Sequence, residues 1–184
     1  MLTSNIKFIN YYKINKNKSA LSKLKKLEWV KKFKFLLSFT KDYQYTYSKK
    51  NIKKFKKFNN YRIIGMGGSV LGSKAIYEFL CHKIKKKFEF IDNLKPNIIN
   101  QNRIKQKTLN IIISKSGNTL ETVSNFSTFV RKNSSNIFIT EKKNNYLRNL
   151  ARKLKSEIFE HKNFIGGRFS VLSEVGMLPA ELMG

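Results

Sequence analysis

A Gly-Gly-Arg turn in the last part of the sequence combines residue types that suit anion binding. The turn lies in the stretch 163–176 and follows a strand-like run at 157–160. Gly166 and Gly167 allow the backbone to approach a ligand closely and to adopt positive φ. Arg168 adds a planar cation whose fixed N–H donors match an anionic group. The pattern therefore predicts a turn that binds a small oxyanion.

A second candidate for anion binding is the loop 114–122, which reads Ser-Lys-Ser-Gly-Asn-Thr-Leu-Glu-Thr. Its hydroxyl groups precede a helical pattern, so they and the N–H groups of the helix N-terminus could bind one anion together. The Gly-Lys-Ser/Thr order of a Walker loop is absent. The loop predicts a site for a phosphate monoester held without a metal ion. An ordinary helix N-cap by Asn118 or Thr119 is the alternative, and the two roles can coexist.

A third loop, Gly-Met-Gly-Gly-Ser-Val-Leu-Gly at 65–72, also follows a strand-like run. It superficially matches a dinucleotide-binding fingerprint, but the glycine spacing is wrong for that motif. No acidic residue closes the next strand in the usual context, although Asp92 is a loose candidate. Two interpretations stay open: a loop whose N–H groups and Ser69 face a ligand, or a tight strand–helix turn.

The elements that must position these loops alternate along the sequence. Five short apolar runs have the composition of buried strands: 61–64, 88–92, 109–113, 136–140 and 156–160. Apolar stripes at helical spacing lie between them, the first made of Leu71, Ala75, Ile76, Phe79, Leu80 and Ile84. This alternation predicts an α/β fold with a doubly wound parallel five-stranded sheet. All three loops follow strands, so they should converge at the carboxyl edge of the sheet, where such folds bind ligands.

The N-terminal part is the most basic and has a different pattern. Apolar residues recur about every three positions, which predicts one or two helices: Leu21, Leu24, Leu27, Val30, Phe33 and Leu36. Residues 49–60 are predicted to be a lysine-dense linker. The chain is therefore divided into a basic helical segment with its linker, 1–60, and a domain, 61–184, whose last residues begin a further helix.

The charge of the chain favours anionic ligands in general. Lys and Arg number 38 against 11 Asp and Glu, which gives a formal net charge of +27. Most of the excess is lysine, whereas base-reading proteins usually rely on arginine. We therefore predict no specific nucleic-acid partner, and we expect the charge to attract a phosphorylated metabolite.

Cysteine usage and hydropathy indicate a reducing, cytoplasmic setting. Cys81 is the single cysteine and cannot form an internal disulfide; its apolar surroundings predict a buried, inert thiol. No apolar run approaches the roughly 20 residues of a membrane span. Residues 1–10 lack the apolar core of a signal peptide, so no membrane partner is expected.

Taken together, the three loops carry a family resemblance. Residues 114–122 resemble the phosphosugar-binding loop of sugar isomerase domains. Residues 164–176 resemble the signature of the phosphoglucose isomerase family, and 65–69 resemble its first glycine loop, all in the family's order. The resemblance covers 61–184, while 1–60 resemble only a shortened, divergent version of the family's helical N-terminal part. It implies a homodimeric enzyme without cofactor or metal that interconverts glucose 6-phosphate and fructose 6-phosphate through an enediolate.

The resemblance also assigns roles to individual residues. Arg168 matches the residue that stabilises the enediolate, and a guanidinium there would lower the barrier by a few kcal/mol. Eight residues match positions that bind the substrate: Gly67, Gly68, Ser69, Ser114, Lys115, Ser116, Thr119 and Gly167. The alternative for Arg168 is a surface ion pair with Glu160 or Glu174.

Some positions depart from the family's pattern. Gly117 and Asn118 stand where the family often has bulkier residues, as in the generic sugar isomerase domain. Glu174 stands where the signature usually has a small residue or proline. These departures place the chain in a divergent branch.

The resemblance also implies groups that the 184 residues do not contain. In the family, a glutamate base and a histidine and lysine for ring opening match positions beyond residue 184. His82 and His161 cannot replace them on motif grounds. We therefore expect this chain to be an N-terminal fragment that binds the phosphosugar without turning it over. The alternatives are a bifunctional phosphoglucose/phosphomannose isomerase, which the Gly-Gly-Arg-Phe-Ser block argues against, and a non-catalytic phosphosugar-binding module.

Overall fold

Short runs rich in isoleucine and aromatic residues form a central parallel sheet. The computed structural model describes residues 33–94, 107–131 and 134–184. The strands are β1 (Asn60–Ile64), β2 (Lys87–Ile91), β3 (Thr108–Ile113), β4 (Ser135–Thr140) and β5 (Glu157–Glu160). All neighbours pair in parallel in the order β2-β1-β3-β4-β5. The prediction of a doubly wound, five-stranded parallel sheet is confirmed.

Helices cover both faces of this sheet, as a parallel sheet requires. They are α1 (Lys49–Lys53), α2 (Gly68–Leu80), α3 (Leu120–Phe129), α4 (Tyr146–Lys153) and α5 (Glu174–Met183), with 3-10 turns at Lys34–Phe39 and Gly167–Phe169. Because strand side chains alternate between faces, Ile63 and Ile111 pack with α2 and α5 in one cluster. Ile64 and Ile112 pack with α3 and α4 in the other.

The strand order places the switch point of the sheet between β1 and β3. From β1 the chain proceeds outward to β2, whereas from β3 it proceeds the other way to β4 and β5. Ligands of such sheets bind at the carboxyl ends of the strands next to this point. The loops after β1 and β3 flank it, and the turn after β5 lies at the same edge.

The segment 49–60, predicted as a linker, is part of the core, which corrects that prediction. Ile52, Phe55 and Phe58 are buried and belong to the cluster under α2 and α5. The Phe55 N–H donates to the Ile52 carbonyl, and the Phe58 N–H donates to the Phe55 carbonyl. This period of three directs the three apolar side chains toward the core, while the lysines between them are exposed. The division of the chain at residue 61 stays a prediction.

The predicted N-terminal helical stripe is only partly covered by the described residues. Leu21, Leu24, Leu27 and Val30 lie outside them. Within them, Lys34–Phe39 forms a 3-10 turn. Phe35 in this turn stacks on Phe169, with ring centroids 4.4 Å apart, so the segment reaches the Gly-Gly-Arg turn.

The helix α2 forms where the apolar stripe predicts it, but only part of that stripe is buried: Ile76 and Ile84 pack against the core cluster. Val70 and Ser73 are buried, whereas Leu71 and Phe79 are 57% and 81% exposed. The helix ends at Leu80, so Cys81 follows it on the surface. The prediction of a buried thiol is therefore wrong. In the part of the chain that the structure describes, no helix is both long and apolar enough to cross a membrane.

The first residue of α5, Glu174, ties an N-terminal segment to the sheet. Its carboxylate is fully buried and accepts hydrogen bonds from the Tyr43 hydroxyl at 2.7 Å and the Thr46 N–H at 2.9 Å. The Thr46 hydroxyl donates to the Glu160 carbonyl oxygen at 3.2 Å. Burial and the bond to Glu174 raise the pKa of Tyr43 well above its usual range, so its hydroxyl remains a neutral donor.

We expect Glu174→Ala to reduce the free energy of unfolding by about 3 kcal/mol, because it leaves the buried Tyr43 hydroxyl and the partly buried Thr46 N–H without an acceptor. Denaturant titration measures the loss. Glu181→Gln is the matched control: it removes a half-exposed carboxylate paired with Lys56 at 3.1 Å and should cost less than about 1 kcal/mol. Equal effects of the two substitutions would contradict the buried role of Glu174.

Candidate functional site

The Gly-Gly-Arg turn packs directly on the first glycine loop. A Cβ atom added to Gly68 would lie 2.2 Å from the carbonyl oxygen of Gly167, so only glycine permits this approach. Gly67, which precedes α2, has a φ of +52°, a backbone conformation that favours glycine. The Ser170 hydroxyl donates to the Gly167 carbonyl at 2.7 Å and lies 3.2 Å from that of Gly68. Two predicted site elements therefore form one structural unit.

Arg168 extends from this unit into solvent. It is exposed and makes no ion pair with any carboxylate of the described residues. Both oxygens of Glu174 are occupied by Tyr43 and Thr46. The alternative of a surface ion pair with Glu160 or Glu174 is therefore wrong. An apolar groove of about 600 Å³ borders the guanidinium and is lined in part by Leu71, Phe79 and Val171.

The loop after β3 gathers three hydroxyl groups in one place. The Thr119 hydroxyl lies 2.9 Å from that of Ser114 and 3.4 Å from that of Ser116. The Gly117 N–H donates to the Ser114 hydroxyl at 3.1 Å, and the Asn118 N–H to the Ser116 hydroxyl at 3.3 Å. A cluster of hydroxyl and amide donors at one helix end is suited to the oxygens of a phosphate group.

The predicted N-cap interaction is absent from this helix. Thr119 occupies the cap position of α3, but its side chain accepts no hydrogen bond from the first turn. The Asn118 side-chain carbonyl oxygen accepts from the Tyr146 N–H at 2.9 Å instead. No side chain of these two residues competes for the first-turn N–H groups, which are the groups that bind anions at helix N-termini.

The shape of this loop depends on its contact with α4. Gly117 has a φ of +68°, and a Cβ atom added there would lie 2.0 Å from Asn145 Oδ1. The Leu147 N–H donates to the Gly117 carbonyl at 3.0 Å. Asn145 itself caps α4 by accepting from the Arg148 N–H at 2.8 Å. Asn145 was not identified from the sequence, although an Asn directly before a helical pattern is a cap signal.

Lys115 is turned toward neighbouring loops rather than into the hydroxyl cluster. Its ammonium donates to the Asn163 carbonyl at 2.7 Å and lies 3.5 Å from Glu141 Oε1. Glu141 also pairs with Lys143 at 3.1 Å. The side chain therefore connects the hydroxyl loop to the segment before the Gly-Gly-Arg turn. Nothing in the sequence pattern identified Glu141.

Two further predicted positions lie at the edge of this arrangement. Ser69 is the second residue of α2, after Gly68, and is partly buried; its hydroxyl makes no hydrogen bond to the described residues. Gly167 is open, with no atom within 4 Å of an added Cβ. Among the described residues, no group of three or more His, Cys, Asp or Glu side chains is arranged to hold a metal ion.

His161 lies beneath the site edge and is buried, with 1% of its surface exposed. Its Nδ1 lies 3.2 Å from the Lys162 carbonyl oxygen, which can only accept, so Nδ1 carries the proton. Nε2 then faces no donor among the described residues. Burial is the main cause that lowers the pKa of this imidazole below its usual range.

The buried imidazole predicts a loss of stability at mildly acidic pH. Below the ordinary value of 6.5, the unfolded chain binds a proton that the folded chain resists, so stability is full above that pH and decreases as the pH falls. Denaturant midpoints measured between about pH 7 and about pH 5.5 should show this decrease. His161→Asn keeps a donor for the Lys162 carbonyl oxygen and should make the denaturant midpoint depend less on pH in this range. An unchanged slope in that variant would contradict the assignment.

The sequence and the fold of this chain are similar to those of known proteins. The sequence model of the family described as phosphoglucose isomerase matches residues 44–184. Glucose-6-phosphate isomerase of Methanocaldococcus jannaschii is 36% identical over 156 residues, covering 73% of this chain and 36% of the relative. The enzyme of the same name from Borreliella afzelii is 39% identical over 142 residues, covering 67% of this chain and 26% of the relative. The chain thus spans about a third of the curated relatives it matches.

Solved structures share the fold. A hypothetical protein from Thermus thermophilus superposes with a TM-score of 0.68 and 26% identity, covering 91% of this chain and 42% of that one. Tagatose-6-phosphate ketose/aldose isomerase from Escherichia coli shares the fold with a TM-score of 0.54 and 15% identity, covering 88% of this chain and 44% of that one. Since the family match extends over most of the sequence and includes all three loops, the chain belongs to the phosphoglucose isomerase family.

Proposed function

We propose that the protein containing this chain interconverts glucose 6-phosphate and fructose 6-phosphate, and that this chain supplies the phosphate-binding loop and the charge-stabilising arginine. The curated relatives that carry the name glucose-6-phosphate isomerase support this reaction. The observation that carries the proposal is the packing of Gly68 on Gly167. Because of this packing, Arg168 lies at the same edge of the sheet as the hydroxyl loop. It pairs with no carboxylate of the described residues.

In this proposal the hydroxyl loop holds the phosphate group of the sugar. The hydroxyls of Ser114, Ser116 and Thr119 and the first-turn N–H groups of α3 act as donors. Lys115 contributes its backbone and holds the loop against Asn163. A net charge of +27 adds a long-range attraction for a dianionic ligand.

Arg168 acts on the reacting end of the substrate. Moving a proton between adjacent carbons places negative charge on the former carbonyl oxygen, and a fixed guanidinium beside that oxygen stabilises the enediolate. Gly67, Gly68 and Ser69 line the sugar beside it. The carboxylates of Glu141 and Glu174 are occupied by other partners, so we propose neither of them as the proton-transferring base.

The organisation of the whole protein belongs to the same proposal. Residues 61–184, together with the core-forming residues Ile52, Phe55 and Phe58, would form the sugar isomerase domain, and the basic residues before them an accessory segment. We place the protein in the cytoplasm and, as the family resemblance implies, in a homodimer. The apolar groove beside Arg168, with Leu71 and Phe79 exposed, gives a surface that further protein could cover.

Calorimetric titration of the 184-residue chain tests the binding half of the proposal. Fructose 6-phosphate should bind, and fructose should bind at least about 100-fold more weakly, because the charge-assisted hydrogen bonds to the phosphate are lost. The double variant Ser114→Ala, Thr119→Val should weaken the phosphorylated sugar selectively. Equal affinity for the two sugars would contradict a phosphate site.

A further inference from the structure

A cleft lined by lysines lies at the amino ends of the strands, on the opposite edge of the sheet from the candidate site. It has a volume of about 710 Å³ and is lined by Phe58, Asn59, Asn60 and four lysines, Lys57, Lys85, Lys87 and Lys107. Lys87 is the first residue of β2, and its N–H donates to the Asn59 carbonyl at 2.9 Å. Lys107 directly precedes β3. The amino ends of these neighbouring parallel strands and the segments that lead into them therefore bring the four lysines around one volume.

Among the residues that the structure describes, no carboxylate compensates the charges of this cleft. No acidic residue lines it, and none of its four lysines pairs with a carboxylate of the described residues. Elsewhere the structure does supply such partners, as for Lys56 with Glu181 and Lys74 with Asp92. Lys107 is held over the Phe58 ring, 5.7 Å from its centroid. Other lysines of the described residues therefore do have acidic partners, whereas the four lysines of the cleft do not.

We propose that this cleft binds a small anion that carries several phosphate groups. Like charges around a common volume repel each other, and a bound polyanion replaces this repulsion by attraction. A single phosphate monoester could pair with only part of the four ammonium groups. The volume falls in the range of about 300 to 1,000 Å³ that is typical of small-molecule sites, which favours a compact ligand over an extended nucleic-acid strand.

The cleft is separate from the candidate phosphosugar site. Lys107 at one edge and Ser114 at the other lie seven positions apart along β3 and its flanks. At about 3.3 Å per residue this places them roughly 20 Å apart. A polyphosphate bound in the cleft would therefore not contact the hydroxyl loop, and it would leave the phosphosugar site open.

Titration of the 184-residue chain with inorganic tripolyphosphate at about 150 mM salt, where surface charges are screened over roughly 8 Å, tests this inference. The triple variant Lys57→Ala, Lys85→Ala, Lys87→Ala should weaken binding at least about 10-fold, because charge-assisted hydrogen bonds are lost. The control triple variant Lys50→Ala, Lys53→Ala, Lys153→Ala removes the same charge from exposed positions and should weaken it less than about 2-fold. If the first variant fails to fold, Lys85→Ala alone should weaken binding about 3-fold.

A second arm identifies the source of the phosphate groups. Adenosine triphosphate without magnesium should also bind, and tighter binding than tripolyphosphate would assign a nucleotide, whereas equal or weaker binding would assign the phosphate chain alone. Three outcomes would overturn the inference: no tripolyphosphate binding by the unmodified chain, equal weakening by both triple variants, or single-stranded RNA bound more tightly than either small anion through the same lysines.

Discussion

Replacing Arg168 with alanine should weaken the binding of an enediolate mimic about 100-fold and leave almost unaffected the binding of a sugar phosphate that lacks the second negative charge. The mimic is a five-carbon aldonate 5-phosphate, whose carboxylate stands in for the enediolate oxygens. The second ligand is sorbitol 6-phosphate, which has the same phosphate but no charge at the end that corresponds to the reacting carbons. Arg168 is exposed and makes no ion pair with a described carboxylate. Its guanidinium is therefore available to the ligand.

Two further variants separate position from charge. Arg168→Lys keeps the charge but loses the planar arrangement of donors. Its affinity for the mimic should therefore lie between those of the unmodified chain and Arg168→Ala. Arg131→Ala removes one exposed cation elsewhere and should change neither affinity by more than about 2-fold. Calorimetric titration measures the affinity of the unmodified chain and the three variants for both ligands. A parallel loss of both ligands in Arg168→Ala would mean that Arg168 binds the phosphate or supports the fold instead.

Gly68→Ala should disrupt the site and cost about 3 kcal/mol of unfolding free energy, because the added methyl group has no space. Its Cβ would lie 2.2 Å from the Gly167 carbonyl oxygen and 3.1 Å from the Arg168 backbone nitrogen. Both obstacles are backbone atoms, so the turn must move as a whole. A displacement of about 1 Å is enough to lower affinity for the enediolate mimic about 100-fold.

Gly167→Ala provides the matched control for this substitution. An added Cβ there meets no atom within 4 Å, so the unfolding free energy should change by less than about 1 kcal/mol. Denaturant titration of the two variants compares them directly. If Gly68→Ala unfolds at the same denaturant concentration as the unmodified chain and binds the mimic equally well, the close packing of the two loops is not formed.

The sheet could be predicted from the sequence because each strand is a short apolar run between turn residues. The segment 49–60 could not, because lysines hide the three-residue spacing of Ile52, Phe55 and Phe58. The orientation of α2 was also missed. Its apolar stripe is wide, and only packing against α5 and the Gly-Gly-Arg turn decides which side is buried, so Leu71 and Phe79 remain exposed.

For the site, the sequence identified the loops but not the contacts between them. The hydroxyl groups of Ser114 and Thr119 lie together as a local pattern of five residues predicts. The contact between Gly68 and Gly167 joins positions 99 residues apart. The hydrogen bond from Tyr43 to Glu174 joins positions 131 residues apart. Local spacing contains no information about such contacts, which depend on the strand order.

Backbone-amide NMR of the 184-residue chain titrated with fructose 6-phosphate tests the central claim most directly. We predict that the shift changes concentrate in three segments, 65–69, 114–119 and 166–168, which lie together only at the carboxyl edge of the sheet. Changes confined to the lysine cleft around Lys57, Lys85 and Lys87, changes spread over all exposed lysines, or no changes at all would contradict a phosphosugar site in these loops.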